Sequence, residues 1–226
     1  MQSALSDFKK ELDRIDKVAD WLQSPVALAP EMNAATWAIR CGSVVLMSGY
    51  FESFIKDCMC CFITSVNGMG QPLTKLHKLK LIHFRNGSRA LDKQFRRDKD
   101  SGDMGRCEDL ASRLASVSAA TGYTLAWEAF ADTQANPGPN VVAELLSATG
   151  ITDAWTKLRL ATPTGLVDLN LWLTTFIEMR NECAHSGNTA SPPTASGLVQ
   201  YRDNFIGLAN AMITVLDNRL LEIAAL

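Results

Sequence analysis

Histidine is the scarcest chemically versatile residue in this chain: three in 226 residues, against six cysteines and five tryptophans. Any acid–base chemistry near neutral pH therefore has few candidates. There is also no run of about 18 apolar residues free of charge, so no membrane-spanning helix is expected. The formal net charge is only -2. No overall field selects nucleic acid or membrane, and any basic surface must be local. No glycine-rich loop ending in Lys-Ser/Thr is present, which argues against a nucleoside-triphosphatase. The start, "MQSALSDFKKELDRIDK", lacks the apolar core of a secretory signal, so the expected location is cytoplasmic. The cysteines are Cys41, Cys58, Cys60, Cys61, Cys107 and Cys183. "CMCC" has no second Cys/His pair at zinc spacing, so buried free thiols are expected, with no metal and no cofactor.

What is present is helical pattern. The composition, 47% apolar and 20% charged, suits a single domain over residues 1–226 that buries a core. In 5–22, Leu5, Phe8, Leu12, Ile15, Val18, Ala19 and Leu22 recur at three and four, and two prolines in "SPVALAP" end the run. Residues 34–66 are long and apolar on all faces, which predicts a central buried helix. Gly42, Ser43, Ser48 and Gly49 on it would permit close packing or a kink. A helix is expected over 107–120, a second over 123–132, and a short one from Asn140 to Gly150. Residues 100–105 read as a mobile loop, 134–140 as a break, and 151–165 as a connector. The last two helices, 166–184 and 195–224, carry the clearest stripes. With no convincing strand, the expected fold is an all-α bundle.

Residues 75–99 change character. Nine Lys/Arg stand against two Asp, a local charge of +7 in an acidic protein. The stretch reads either as a solvated helix face with a loop or as a surface that tracks phosphates. Lys75, Lys78, Lys80, Arg85, Arg89, Arg96 and Arg97 are its candidate RNA contacts. His77 and His83, also here, read as surface residues or phosphate contacts.

The third histidine stands in "FIEMRNECAHSGN", residues 176–188. Arg180 continues the apolar stripe one turn beyond Phe176, where a cation is costly unless paired. His185, five residues on, lies about 140° around an ideal helix from Arg180. The two do not converge within one regular helix. A two-fold dimer would let the arginine of one chain approach the histidine of the other. Asn181 and His185 are i,i+4 neighbours. A cation and a histidine closing a helix also suit its dipole, with no further role. Cys183 reads as a small buried thiol rather than a nucleophile. Trp37, Trp127, Trp155 and Trp172 read as core or interface residues rather than stacking platforms.

"RNECAH" resembles the R-x4–6-H signature of the HEPN superfamily, with its frequent polar residue after the arginine. "VVLMSGYFESFIKDCM" resembles the N-terminal helix of the RiboL-PSP-HEPN and MAE_28990-like HEPN groups. "VVAELLSATGI…LVDLNLWLTTFIEMRNECAHSG" resembles their central block, and "TASGLVQYRDNFIGLANAMITVLDNRLLE" their last helix. The resemblance covers roughly 36–66 and 140–223, and about 75–135 looks like a group-specific basic helix-loop insertion. It implies a HEPN-type helical bundle dimerising through the motif helix. It also implies a metal-independent ribonuclease of toxin–antitoxin or phage-defence type, with RNA as substrate and an antitoxin or defence-system partner. Arg180 and His185 match the signature positions and Asn181 the polar one. Glu52, with Lys56 four residues on, looks like the acidic and basic pair of some members. A non-catalytic HEPN module binding RNA or a protein is the rival expectation. A nucleotidyltransferase-coupled member is a weaker one, because no tyrosine follows His185 before Tyr201.

Overall fold

The computed structural model describes residues 1–118, 122–131, 136–162, 168–187, 189 and 191–226. The elements are α1 (Gln2–Leu22), α2 (Asn33–Gly68), α3 (His77–Ser101), α4 (Gly105–Ser116), α5 (Pro139–Ala148), α6 (Ala154–Ala161), α7 (Leu169–Ser186) and α8 (Ala195–Ala224). No strand occurs among the described residues. The architecture is all-α, as expected.

Helix α1 forms on its periodic stripe: Leu5, Phe8, Leu12, Ile15, Ala19 and Leu22 are all buried. It packs on α2 and α8, while α2 also packs on α7 and α8. An aromatic cluster marks the centre. Phe205 of α8 stands 4.9 Å from Phe51 of α2, 4.8 Å from Phe176 and 4.9 Å from Trp172 of α7. Phe8 of α1 stacks on Phe54 at 4.8 Å. Burying each such phenylalanine contributes about 1.5–3 kcal/mol.

Two contacts fix how α2 and α7 run. Near one end the Cys183 thiol lies beside that of Cys41. Further along α2, Phe51 reaches Trp172 and Phe176 through Phe205. Rising numbers on α2 meet falling numbers on α7, so the pair is antiparallel.

The basic stretch is a single helix, α3, packed on α4. Ala90 and Leu110 form a small satellite core with Ala126, flanked by Leu91 and Leu114. Buried Asp98 fastens the hairpin by accepting the Cys107 backbone N–H at 2.8 Å and the Gln94 amide at 2.6 Å.

Several expectations are corrected. Of residues 100–105, expected as a loop, only 102–104 lie between α3 and α4, in a tight turn in which Gly102 takes the left-handed conformation at φ 74. Residues 123–131 hold only a three-residue 3-10 turn, Trp127–Ala129 (residue 132 lies outside the described residues). Asn67 is the reason. Its side chain accepts from the Leu125 N–H at 2.9 Å and donates to the Leu125 carbonyl at 3.0 Å, taking the groups a helix would use. The connector contains α6, which packs on α8. Finally, α2 is not buried all round. Trp37 and Leu46 are 37% and 51% exposed, and a Cβ at Gly42 or Gly49 would meet nothing within 4 Å. These glycines therefore mediate no close approach.

Candidate functional site

Helix α7 is set by its ends. Asp168 caps it, accepting from the backbone of Asn170 at 3.0 Å and Leu171 at 3.2 Å. Gly187 ends it at φ 63, a conformation glycine adopts without penalty. Leu169, Leu173, Phe176 and Cys183 are buried along one face.

Arg180 sits on that face between Phe176 and Cys183 and is half-buried. Its Nε is buried without a hydrogen-bond partner. One terminal nitrogen donates to the Asn181 side-chain oxygen at 3.3 Å. The same oxygen accepts from the Asn136 amide at 2.6 Å. Asn136 belongs to a segment laid against α7. Pro137 is buried, Gly138 faces Ile177, and the Trp155 indole N–H holds the Pro139 carbonyl at 3.2 Å. Asn136 was not singled out from sequence. Its partner lies 45 residues away, and only its place before the Pro-Gly-Pro break hints at it.

His185 is exposed on the last turn of α7. The 100° step per residue points it to a different side from Arg180. After the helix the chain turns back, and the buried Thr189 donates its hydroxyl to the Glu182 carboxylate.

Glu52 lies on the Cys41 face of α2, about 16 Å further along. By helical rise its level differs from that of Arg180 by about 12 Å. Glu52 accepts from Lys56 at 2.5 Å, each partner about one-third exposed. An i,i+4 pair of that exposure is worth only a few tenths of a kcal/mol.

The basic residues of α3 and its approach do not share one face. Lys75 reaches the terminal Leu226 carbonyl. Lys80 lies over the Phe84 ring at 5.9 Å, and Arg96 pairs with Asp92 at 2.9 Å in solvent. Lys78 is exposed. Arg85 and Arg89 line a cavity of ≈430 Å³ with Glu144 of α5. Arg97 faces the other way, toward Trp127 and Lys56.

His77 is exposed, but His83 is not a surface residue: it is 1% exposed. Its Nε2 accepts the Ala126 N–H at 3.3 Å and its Nδ1 is buried without a partner. Burial, then the nearby Arg113 guanidinium, push the imidazole down to about 4. It is a neutral core residue. All six cysteines are free, with Cys60 and Cys61 only partly buried. Burial, reinforced by the neighbouring Cys41 thiol, pushes the Cys183 thiol up to about 12, so it is a poor nucleophile. Among the described residues no three His, Cys, Asp or Glu cluster as a metal cage.

Residues 3–218 match the RiboL-PSP-HEPN family. The chain belongs to that family. Membership in the HEPN superfamily supports an RNase-like or RNA-binding module. The match extends over α1 and the α3–α4 hairpin as well as the two blocks that carry the signature. Neither the curated proteins nor the solved structures include one that matches this HEPN chain. No helix among its described residues is long and apolar enough to cross a membrane.

Proposed function

We propose that this RiboL-PSP-HEPN protein is an endoribonuclease acting without a metal ion, as a toxin or phage-defence effector, at a site shared by two copies of α7. The observation that carries the reading is the Arg180–Asn181–Asn136 cluster on one side of the α7 terminus with an exposed His185 on another. A half-buried arginine with one hydrogen bond from a terminal nitrogen keeps further terminal donors for an incoming anion, and its planar fork fits phosphate oxygens. An exposed histidine at the same helix end suits proton transfer to a bound strand.

The chemistry follows. One His185 takes the proton of the ribose 2′-OH. The 2′-oxygen then attacks phosphorus, forming the P–O2′ bond. Arg180 stabilises charge on the non-bridging oxygens as the P–O5′ bond breaks. That histidine, now protonated, gives its proton to the departing 5′-oxygen. The products are a 2′,3′-cyclic phosphate and a 5′-hydroxyl, with no net redox change. The 140° between Arg180 and His185 on one helix supports a dimeric site, because a two-fold partner supplies the second wall. Asn181 orients Arg180. In this reading Glu52 with Lys56 supports the site from α2.

The test is incubation of the purified protein with structured and unstructured RNA, with and without EDTA, beside Arg180→Ala and His185→Ala. Cleavage by wild type in EDTA, lost in both variants, is the expected result. Cleavage surviving in both variants removes the site, and cleavage stopped by EDTA removes the metal-free mechanism. Binding of RNA without cleavage favours a binding module.

A further inference from the structure

Two adjoining hollows lie on the α3–α4 side of the molecule, well away from the α7 terminus. One, of ≈510 Å³, runs between α3, α4 and the 3-10 turn. The other, of ≈100 Å³, continues to Lys56 on α2. They share Gln94, Arg97, Trp127 and Glu128, so they are two parts of one groove.

Its electrostatics are not those of a generic solvated face. Arg113 is locked: it grips Glu128 through two bonds of 2.8 Å and reaches Asp109 at 2.8 Å. That grip ties down the groove's two acids, Asp109 and Glu128, offsets one of their two charges, and fixes the turn carrying Trp127. Of the other cations on the walls, Lys56 is paired with Glu52, and Arg97 and Arg106 outweigh the one carboxylate charge that Arg113 leaves. Arg97 and Arg106 are exposed and enter no ion pair among the described residues. Trp127 stands where the two hollows meet, bordered by both.

An aromatic ring between cationic walls matches one ligand chemistry: an unpaired base stacked on the ring, with flanking phosphates on the arginines. A duplex hides its base faces and could not use the tryptophan. We infer that this groove binds single-stranded RNA, with Trp127 as its stacking platform and Arg97 and Arg106 as its phosphate contacts. It rests on the reading of the protein as acting on RNA, and it gives that reading a substrate class. Lys56 lies about 22 Å along α2 from the Cys41–Cys183 contact. A strand held in the groove can therefore span to the α7 terminus, so the groove acts as an exosite and not as the place of cleavage.

The experiment measures binding of a 12-nucleotide 2′-O-methyl RNA, which cannot be cut, between 50 and 200 mM salt. The proteins compared are wild type, Trp127→Ala, Trp127→Phe, the double variant Arg97→Glu/Arg106→Glu, and His185→Ala. Loss of one stacked base predicts roughly 5- to 100-fold weaker binding for Trp127→Ala, and Trp127→Phe keeps most of the affinity. Two lost phosphate contacts predict a salt slope shallower by about 1.4 in the double variant. The inference is overturned if the double variant binds with wild-type affinity and slope, or if duplex RNA competes as well as single strand. Should Trp127→Ala not fold, the double variant decides, since both arginines are exposed. Loss of binding in groove variants of a protein that cuts nothing keeps the groove and removes the catalytic reading. Undiminished binding and cutting by groove variants, with His185→Ala inactive, removes only the groove.

Discussion

At the scale of the residue, position relative to a buried stripe decides what a polar side chain does. Arg180 and His83 both interrupt such stripes, with opposite outcomes. His83 follows Leu79 and precedes Gly87 and Ala90 on the buried side of α3. That phase is legible in the sequence, but the surrounding lysines and arginines obscure it. Because its folded value is lowered to about 4 from 6.5, the unfolded chain binds the proton more readily between these values. Stability from this group is complete above about pH 6.5 and is lost as pH falls toward 4, by as much as ~3 kcal/mol. Urea melts at pH 7.0 and pH 4.5 should show this loss in wild type and a smaller one in His83→Gln. An equal loss in both would place the pH dependence elsewhere. Asn136 carries the other residue-scale prediction. It holds the Asn181 oxygen that Arg180 also uses, so Asn136→Asp removes the donor and offers Arg180 a competing charge. The expected result is a kcat about tenfold lower with KM little changed, the signature of a misplaced group rather than a lost binding charge. Wild-type kcat in both Asn136→Ala and Asn136→Asp would leave Asn136 with a purely local role.

At the scale of the element, legibility follows length and periodicity. α8 spans Ala195–Ala224, matching its sequence pattern residue for residue. Thirty residues of regular stripe, with Thr194 accepting the Gly197 N–H at 3.1 Å, leave little ambiguity. α6 has eight residues and is held by packing on α8, so nothing local announces it. A 3-10 turn stands at Trp127 where the sequence pattern suggests a helix, because the Leu125 backbone just before it is claimed by Asn67, a long-range partner invisible to a window of sequence. Composition misled once, at α2, where high apolarity suggested burial on every side. The glycines there give a direct test. Gly42 and Gly49 are interior to α2, exposed, and touch nothing that a methyl group would disturb. Gly42→Ala and Gly49→Ala should each raise stability by about 0.5–1 kcal/mol, additively, in chemical unfolding. A loss in either would mean that this face of α2 is covered in the assembled protein, a cost seen only at concentrations where copies associate.

At the scale of the whole molecule, one chain brings together half of the proposed chemistry. The α2–α7 seam holds Arg180 and Asn181, the docked 136–139 segment steadies them, and His185 faces out on another side of the same helix. The five-residue spacing made this separation legible in the sequence. The docked segment was not legible, because it depends on how α5 and α6 bring Trp155 to Pro139. If catalysis needs the arginine of one copy and the histidine of the other, two dead proteins should repair each other. Arg180→Ala supplies histidine and His185→Ala supplies arginine. Mixed, unfolded together and refolded, they form mixed pairs in about half of the dimers, and each mixed pair contains one intact Arg–His combination out of two. Recovered activity should approach roughly a quarter of wild type and depend on subunit exchange, since mixing without exchange leaves only dead pairs. Gel filtration with light scattering gives the dimer fraction in the same samples. No recovery from a mixture shown to contain mixed dimers would mean that each chain uses its own Arg180 and His185. α7 would then have to tighten at its last turn to bring them together.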